Sequence, residues 1–317
     1  MQGVFSGVVG ALFAALVLLS AQAPGVAAPG TSAKTADGHR VDRVDRVPRG
    51  VFSPDDRGFV PSWYAKEAAG VGALLSRVER SKCSAFCVGD RLIASAAHCL
   101  LRNLAKRQAA GTLPAETGPA ETGPTETGPA DTVLTDMARS FTFVLQNPVA
   151  TAKIKIGAIG TTVLAGRAPI NTVDDWLLAE LSAPVCRGRV LNIGGDSGRP
   201  LALIGHQQDR RNGLSFAANC DGSLHRLGTK AASITGQFLQ PQDLVFHDCD
   251  AAGHASGAPL FAVGAGQSLT VVGIHSGSFQ RVFRDRRTGR AFQAAINVAS
   301  GLRAWRPALD ALLTAAR

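Results

Sequence analysis

Three short stretches of the chain contain residue types that can transfer an acyl group. Residues 83–99 read CSAFCVGDRLIASAAHC and place His98 behind a run of small residues, and residues 250–260 read DAAGHASGAPL and contain Ser256. Between them, residues 175–181 read DWLLAEL and begin with Asp175. A serine hydroxyl becomes an effective nucleophile when a histidine accepts its proton and a carboxylate orients that histidine. These residue types therefore suit acyl transfer.

Two of these stretches resemble one known family. Ala96-Ala97-His98-Cys99 resembles the histidine loop of trypsin-like serine proteases, and Ser256-Gly257-Ala258-Pro259 resembles their nucleophile loop with its Ser-Gly-X-Pro core. The two motifs stand in the family's order. The resemblance implies that His98 is the general base, that Ser256 is the nucleophile and that Asp175, at the head of a strand, orients the imidazole. Asp174 is the alternative carboxylate, because a change of register would exchange it with Asp175.

The expected oxyanion hole departs from the family pattern at one position. The resemblance implies that the backbone N–H groups of His254 and Ser256 receive the oxyanion, but the family normally has glycine where this chain has His254. If that position requires a positive φ, a histidine there is strained or reverses the peptide. Loss of one oxyanion donor costs about 10²–10³ in rate. An alternative function is therefore a catalytically weak or inactive protease homologue that binds a partner or a polyanion.

The neighbouring Ala255 also departs from the family. It replaces the acidic or amide residue with which trypsin binds its new N-terminus. We therefore do not expect activation by that salt bridge.

The residues expected to line the substrate pocket give conflicting indications of specificity. Asp250 stands where trypsin places the acid that binds Lys or Arg, or alternatively is a structural acid beside Cys249. The run Val272-Gly273-Ile274-His275-Ser276-Gly277 instead resembles a segment of bacterial glutamyl endopeptidases, and Asp55-Asp56-Arg57 resembles their N-terminal Asp-Arg element. That group usually has threonine and glycine where this chain has Ala251 and Ser278. The side-chain preference stays open, with strict glutamyl specificity not favoured.

The cysteines indicate disulfides. Six cysteines in an exported chain favour oxidised pairs. The resemblance implies Cys83–Cys99; Cys220–Cys249 would tie the region before the nucleophile loop to that loop, and Cys87–Cys186 is the pair that remains. The alternative is a zinc site made by Cys83, Cys87, His98 and Cys99, but these residues lack a close C-x-x-C pair. We expect no metal and no organic cofactor.

The N-terminal residues have the features of a secretory signal. Residues 1–28 carry no charged side chain and contain the apolar run Val8–Leu19, followed by small residues. This run is shorter than the roughly 20 apolar residues of a membrane span. We expect an exported protein, periplasmic or extracellular, with no membrane span. Residues 29–50 are polar and suggest a pro-segment or flexible arm, with Arg49 as a candidate processing point.

The net charge of +9 could attract polyanions. However, no block of Lys and Arg with interleaved aromatic residues is present, so we expect no nucleic-acid partner. The function that the resemblance implies is that of a secreted serine endopeptidase, which hydrolyses a polypeptide substrate through an acyl-enzyme on Ser256. We expect a monomer.

Residues 51–317 are predicted to form one all-β peptidase domain. Short apolar runs separated by Gly, Asn, Asp and Pro predict many short strands; they are Val71–Leu75, Leu92–Ala94, Ser140–Leu145, Lys153–Ile156, Leu201–Ile204 and Leu269–Ile274. The resemblance implies two packed six-stranded antiparallel β-barrels of the trypsin-like kind. We place their junction near residues 185–200.

Two further segments have distinct patterns. Residues 108–132 contain three Glu-Thr-Gly-Pro repeats, and this density of Pro and Gly predicts a disordered surface insert. Apolar residues recur at helical spacing over 302–315, at Leu302, Trp305, Leu309, Leu312 and Leu313. We therefore expect a C-terminal helix docked on the second barrel.

Overall fold

The computed structural model describes residues 50–52, 54–102, 129–160, 170–195, 200–210, 213–222, 231–284 and 287–316. The predicted signal, the predicted pro-segment as far as residue 49 and the Glu-Thr-Gly-Pro repeats lie outside these residues. Residues 129–132, the last part of the predicted insert, lie inside them and belong to a helix. The predicted insert therefore extends into ordered structure.

The described part of the chain consists mainly of antiparallel strands. In chain order they are β1 Gly58–Phe59, β2 Val71–Ser76, β3 Ser81–Gly89, β4 Leu92–Ser95, β5 Thr142–Gln146, β6 Val149–Ile159, β7 Leu177–Leu181, β8 Leu201–Gly205, β9 Ser215–Cys220, β10 Leu244–His247, β11 Pro259–Val263, β12 Leu269–Arg284 and β13 Ala291–Gly301. The helices are α1 Ala65–Ala69, α2 Pro129–Arg139, α3 Ala231–Thr235 and α4 Leu302–Ala315. Each apolar run that predicts a strand lies wholly or mainly within one.

Strands β2 to β7 form a closed barrel in the order β2-β3-β4-β7-β6-β5. The barrel closes because β2 pairs with β3 on one side and with β5 on the other. Its core is made by large side chains that are fully buried, among them Leu74, Phe86, Ile93, Phe143 and Leu145. Burial of such side chains is the main force that holds the closed form.

The second half is a seven-stranded antiparallel sheet in the order β1-β9-β8-β11-β12-β13-β10. A second closed barrel is expected from the sequence, but within the described residues this sheet has two edges, β1 and β10. The reason is that closure needs the first and last strands to pair, whereas β1 has only two residues and both pair with β9. The architecture is therefore one barrel and one sheet.

The barrel and the sheet share an apolar core. One cluster of buried side chains contains Phe86 and Leu177 from the barrel together with Phe261 and Ile274 from the sheet. Close packing of this kind leaves little freedom for one half to move against the other. Residues carried by the two halves can therefore be held in a fixed relation.

Three disulfides are present, with the pairing expected from the sequence. Cys83–Cys99 joins β3 to the turn after β4, Cys87–Cys186 joins β3 to the segment after β7, and Cys220–Cys249 joins the end of β9 to the segment after β10. They leave no cysteine free. Each pair tightens one half of the fold near the segments that carry the candidate residues.

The C-terminal helix is confirmed, and it packs on both halves, because Ala304 lies against the sheet cluster that contains Phe246 and Ile296. Trp305 is fully buried, and its ring lies 6.4 Å from that of Phe86 in the barrel. Leu312 and Leu313 face Gly157 and Gly89, which are also barrel residues. The helix follows β13 in the sheet and spans both halves, with Trp305, Leu312 and Leu313 on the barrel side.

The passage from barrel to sheet lies between β7 and β8, which contains the expected junction near 185–200. Within the ranges that the structure describes, no helix combines the length and apolar character needed to cross a membrane.

Candidate active site

His98 and Asp175 are brought together by strand pairing. The end of β4, Ser95, is the partner of Leu177 at the start of β7. Because His98 follows one strand end and Asp175 precedes the other, both lie at the same edge of the barrel. Asp175 Oδ2 lies 2.8 Å from Nδ1 of His98, and Asp175 Oδ1 accepts the backbone N–H of His98 at 2.9 Å. This carboxylate holds both the ring and the backbone of the histidine.

The environment of this pair defines the state of the imidazole. Asp175 is fully buried and His98 is 8% exposed. A carboxylate that accepts from Nδ1 keeps the proton on that nitrogen, so Nε2 retains its lone pair for a proton from elsewhere. Asp174 does not take part, because its carboxylate accepts the side-chain N–H of Asn171 at 3.1 Å. The structure brings Asp175, and not Asp174, to His98.

Ser256 lies in the loop before β11 and is anchored to the barrel. Its carbonyl oxygen accepts the N–H of Ser84 on β3 at 2.8 Å, and the N–H of Gly257 donates to the carbonyl of His275 on β12 at 2.7 Å. The Ser256 hydroxyl donates to the carbonyl of Ser276 at 3.2 Å. The nucleophile candidate thus lies between strands of both halves.

Gly257 allows this loop to reach the histidine turn. It has φ +82°, and a Cβ there would lie 2.3 Å from Ser95 Oγ and 2.9 Å from the backbone N of Ala96. A side chain is therefore excluded both by the backbone conformation and by contact with the turn that leads into His98. This close approach brings the Ser256 loop against the segment that carries His98.

His254 has a positive φ, the backbone conformation that is strained for a residue with a side chain. Its φ is +74°, in the left-handed region, where residues other than glycine are uncommon. Its carbonyl accepts the hydroxyl of Ser84 at 2.9 Å, and the preceding carbonyl, of Gly253, accepts the N–H of Gln208 at 2.5 Å. Since the C=O and N–H of a trans peptide point in opposite directions, the His254 N–H faces away from Gln208. Gln208 thus holds the Gly253–His254 peptide, and Ser84 holds the peptide that follows it.

Asp250 is not a free acid in a pocket. It is 2% exposed, and its two oxygens accept the backbone N–H groups of Phe52 and Asp56 at 2.5 and 2.9 Å. Its carboxylate therefore ties the N-terminal segment to the nucleophile loop. Burial, and then this neighbouring carboxyl, raise the pKa of Asp56 to about 6.

A pair of buried histidines lies beside the candidate triad. Nδ1 of His275 and Nε2 of His247 are 3.1 Å apart. Burial, and then repulsion by the His98 ring whenever that ring is protonated, lower the pKa of His275 to about 3, with Asp175 opposing the shift. Burial lowers the pKa of His247 well below its usual range. Both rings are therefore neutral near pH 7. His247 is not among the residues predicted from the sequence; its only signal is a histidine that ends the apolar run Leu244–His247.

Ser276 and Gly277 continue the strand beside Ser256. The Ser276 hydroxyl is buried and lacks a hydrogen-bond partner in the described part of the chain. A Cβ added to Gly277 would meet no atom of these residues within 4 Å, so the space beside it is open. The structure thus places His275, Ser276 and Gly277 on one flank of Ser256, next to open space.

The N-terminal segment, residues 50–57, supports the nucleophile loop. The Gly50 carbonyl accepts the N–H of Ala251 at 2.9 Å. Arg57 has a buried guanidinium that bonds the carboxylates of Asp55 and Asp209 at 2.8 and 2.6 Å. It also donates to Gln207 Oε1 at 3.3 Å, and that oxygen accepts the N–H of Ala252 at 2.6 Å. The resemblance of Asp55-Asp56-Arg57 to a known element indicates the place but not this supporting role.

The residues that suggested zinc do not form a thiolate set. Cys83, His98 and Cys99 have possible ligand atoms within 4.8 Å of one another, but the two sulfurs are joined in a disulfide. His98 Nδ1 is occupied by Asp175.

Comparison with known protein families and with curated proteins found no match.

Proposed function

We propose that this protein is an exported serine endopeptidase of the trypsin-like kind, which hydrolyses peptide bonds through an acyl-enzyme on Ser256. The observation that carries the proposal is the double hold of Asp175 on His98 at 2.8 and 2.9 Å. A buried carboxylate that fixes both ring and backbone serves general-base catalysis. This arrangement leaves the lone pair of His98 Nε2 available near the loop that carries Ser256. A histidine with only a structural role does not require that.

In the proposed reaction, Ser256 Oγ attacks the carbonyl carbon of the scissile bond while its proton passes to His98 Nε2. Asp175 stabilises the resulting imidazolium. The tetrahedral intermediate collapses when His98 donates that proton to the leaving amine, which leaves the acyl group on Ser256. Water then attacks the acyl-enzyme with His98 again as base, and the carboxylic acid and free serine are released. The hydroxyl must first turn from Ser276 O toward the imidazole.

The proposed oxyanion donors are the N–H groups of His254 and Ser256. Neither donates a hydrogen bond to another of the residues described. The hold of Gln208 on the Gly253 carbonyl supports a formed hole, because a reversed peptide would turn that carbonyl toward the oxyanion. The weak or inactive alternative that His254 suggests therefore receives no support from the geometry.

The proposed pocket for the acyl side lies beside His275, Ser276 and Gly277. Since Asp250 is saturated by backbone N–H groups, we expect no requirement for Lys or Arg before the scissile bond. His275 is neutral near pH 7, so it provides no positive charge that would bind a Glu side chain before the scissile bond.

The first test is labelling of the folded, oxidised protein with a fluorophosphonate, followed by peptide mapping. We expect an adduct on Ser256 that is absent from Ser256→Ala and slowed by about 10³-fold or more in His98→Ala. Ser268→Ala, a change of an exposed serine, is the control and should label as the wild type does. Absence of an adduct on a protein with intact disulfides would overturn the proposal.

Export and a polypeptide substrate belong to the same proposal. The three disulfides agree with an oxidising compartment.

A further inference from the structure

Basic side chains gather around Ser84, the barrel residue that bonds the backbone of Ser256. Lys82 is on β3 two residues before Ser84, and because side chains alternate along a strand, Lys82 and Ser84 share a face. Ser84 bonds the backbone of both Ser256 and His254. Its hydroxyl also accepts the backbone N–H of His206 at 2.9 Å. Lys82, His206 and His254 therefore surround one anchoring serine.

These three groups lie within electrostatic range of one another. Burial, and then the charge of Lys82, lower the pKa of His254. Burial, and then Lys82 and His254, lower the pKa of His206 to about 4. At neutral pH the cluster thus has one cation, Lys82, beside two neutral imidazoles.

Among the residues that the structure describes, no carboxylate pairs with Lys82 as a counterion. Burial lowers its pKa, and no carboxylate from the residues described opposes that shift. By contrast, the buried guanidinium of Arg57 is neutralised by two carboxylates, those of Asp55 and Asp209. Nε2 of His206 is likewise buried without a partner among the described groups. A half-desolvated ammonium with nearby unused polar atoms favours an anionic ligand.

The position of this cluster indicates which half of a bound polypeptide it would contact. A polypeptide that crosses Ser256 has its acyl half on one flank and its leaving half on the other. The flank formed by His275, Ser276 and Gly277 is adjacent to open space and is assigned above to the acyl half. The flank formed by Ser84, Lys82 and His254 then receives the residues that follow the scissile bond.

We propose that Lys82 and His254 form a subsite for an acidic side chain at one of the first two residues after the scissile bond. The Lys82 ammonium supplies the charge, and the neutral imidazole of His254 donates a hydrogen bond to the same carboxylate. This inference rests on the proposed function, because it requires cleavage at Ser256.

The test uses a mixture of peptides prepared from a digested proteome, with cleavage sites identified by mass spectrometry. We expect Asp and Glu to be enriched at one of the two positions after the cut. For the best-cleaved sequence, kcat/KM should fall by about fivefold when that Glu is replaced by Gln. Lys82→Met should abolish this Glu/Gln difference by lowering kcat/KM for the Glu peptide, whereas Lys82→Glu should reverse the preference toward Lys or Arg.

The matched control is Lys153→Met, which removes an exposed strand lysine on β6 and should keep the Glu preference. Cleavage with no acidic enrichment, or a Glu/Gln ratio that Lys82→Met leaves intact, would overturn the subsite alone. Absence of both peptide cleavage and Ser256 labelling would overturn the proposed function and the subsite together.

Discussion

The two sides of the candidate site are held by different kinds of interaction. On the base side, His98 and Asp175 stand at the ends of two paired barrel strands, so regular β-structure brings them together. On the nucleophile side, the loop from Asp250 to Ser256 lies outside the described strands. It is held by individual hydrogen bonds that it makes with Phe52, Gln207, Gln208 and Ser84. The base side thus depends on regular strand pairing, and the nucleophile side on individual hydrogen bonds with several separate segments of the chain.

The strongest way to break the base side is Asp175→Asn. The amide keeps the shape but favours the wrong tautomer of His98, so we expect kcat to fall by about 10⁴-fold with little change in KM. Steady-state kinetics on the best-cleaved peptide from the proteome digest measures the loss of kcat. Asp174→Asn is the control and should stay within about threefold of wild type; equal losses in the two variants would contradict the assignment.

On the nucleophile side, Ser84→Ala should lower kcat by about tenfold. It removes the hydroxyl that bonds the His254 carbonyl and the His206 N–H, and buried groups left without partners cost roughly 1–3 kcal/mol. Ser76→Ala is the matched variant, because Ser76 is also buried on the barrel but bonds Ser140. We expect Ser76→Ala to lower the melting temperature without changing kcat. Similar kcat losses in both would remove the distinction between the two sides.

The carboxyl pair Asp56 and Asp250 should make the nucleophile side sensitive to pH. The pKa of Asp56 is raised from 3.8 to about 6 in the folded protein. The folded state therefore holds more protons than the unfolded state between these values, so the stabilising effect is complete below about pH 4 and is lost as the pH rises to about 6. Because Asp56 is largely exposed to solvent, we expect an effect of only about 1 kcal/mol.

Denaturant unfolding at pH 4 and pH 7.5 measures this effect. Asp56→Asn should be more stable than wild type by about 1 kcal/mol at pH 7.5 and no more stable at pH 4. A gain of the same size at both pH values would argue against a shared proton.

The smallest expected change is that of His254→Gly. Glycine accepts the positive φ without strain, so stability should rise by about 1 kcal/mol or less. The backbone N–H remains in the glycine variant. For a peptide with no acidic residue after the scissile bond, kcat should therefore stay within about threefold of wild type. A large increase in kcat would show instead that the histidine disables the oxyanion hole in the wild type.

The same contrast explains how far the sequence could predict the molecule. The motif around His98, the carboxylate at the head of β7 and the six runs that form strands are all local patterns, and each has its expected place in the structure. The three disulfide pairs also follow the expectation. Short-range periodicity and motif context were enough for the strands and the histidine turn, whereas the disulfide pairs came from the family resemblance and, for Cys87–Cys186, from elimination.

Features that depend on contacts between distant residues were not predictable in this way. The carboxylate of Asp250 could face a substrate or the backbone of residues 52–56, and no local pattern distinguishes these cases. Edge strand β1 is too short to be recognised from two residues. The apolar spacing of α4 predicts which side of the helix is buried but not that both halves contact it. His247 becomes notable only because β12 brings His275 to it.

The burial of Trp305 against Phe86 has a consequence for the synthesis of the chain. The barrel that holds His98 lacks its full core until residue 305 has been made, and the side chain of Asn297 is needed to bond the carbonyls of Gly50 and Cys249 at 2.9 and 2.7 Å. A nascent chain that already contains His98, Asp175 and Ser256 thus has neither half of the site complete. The proposed peptidase would therefore be inactive until residues 297–305 have been made.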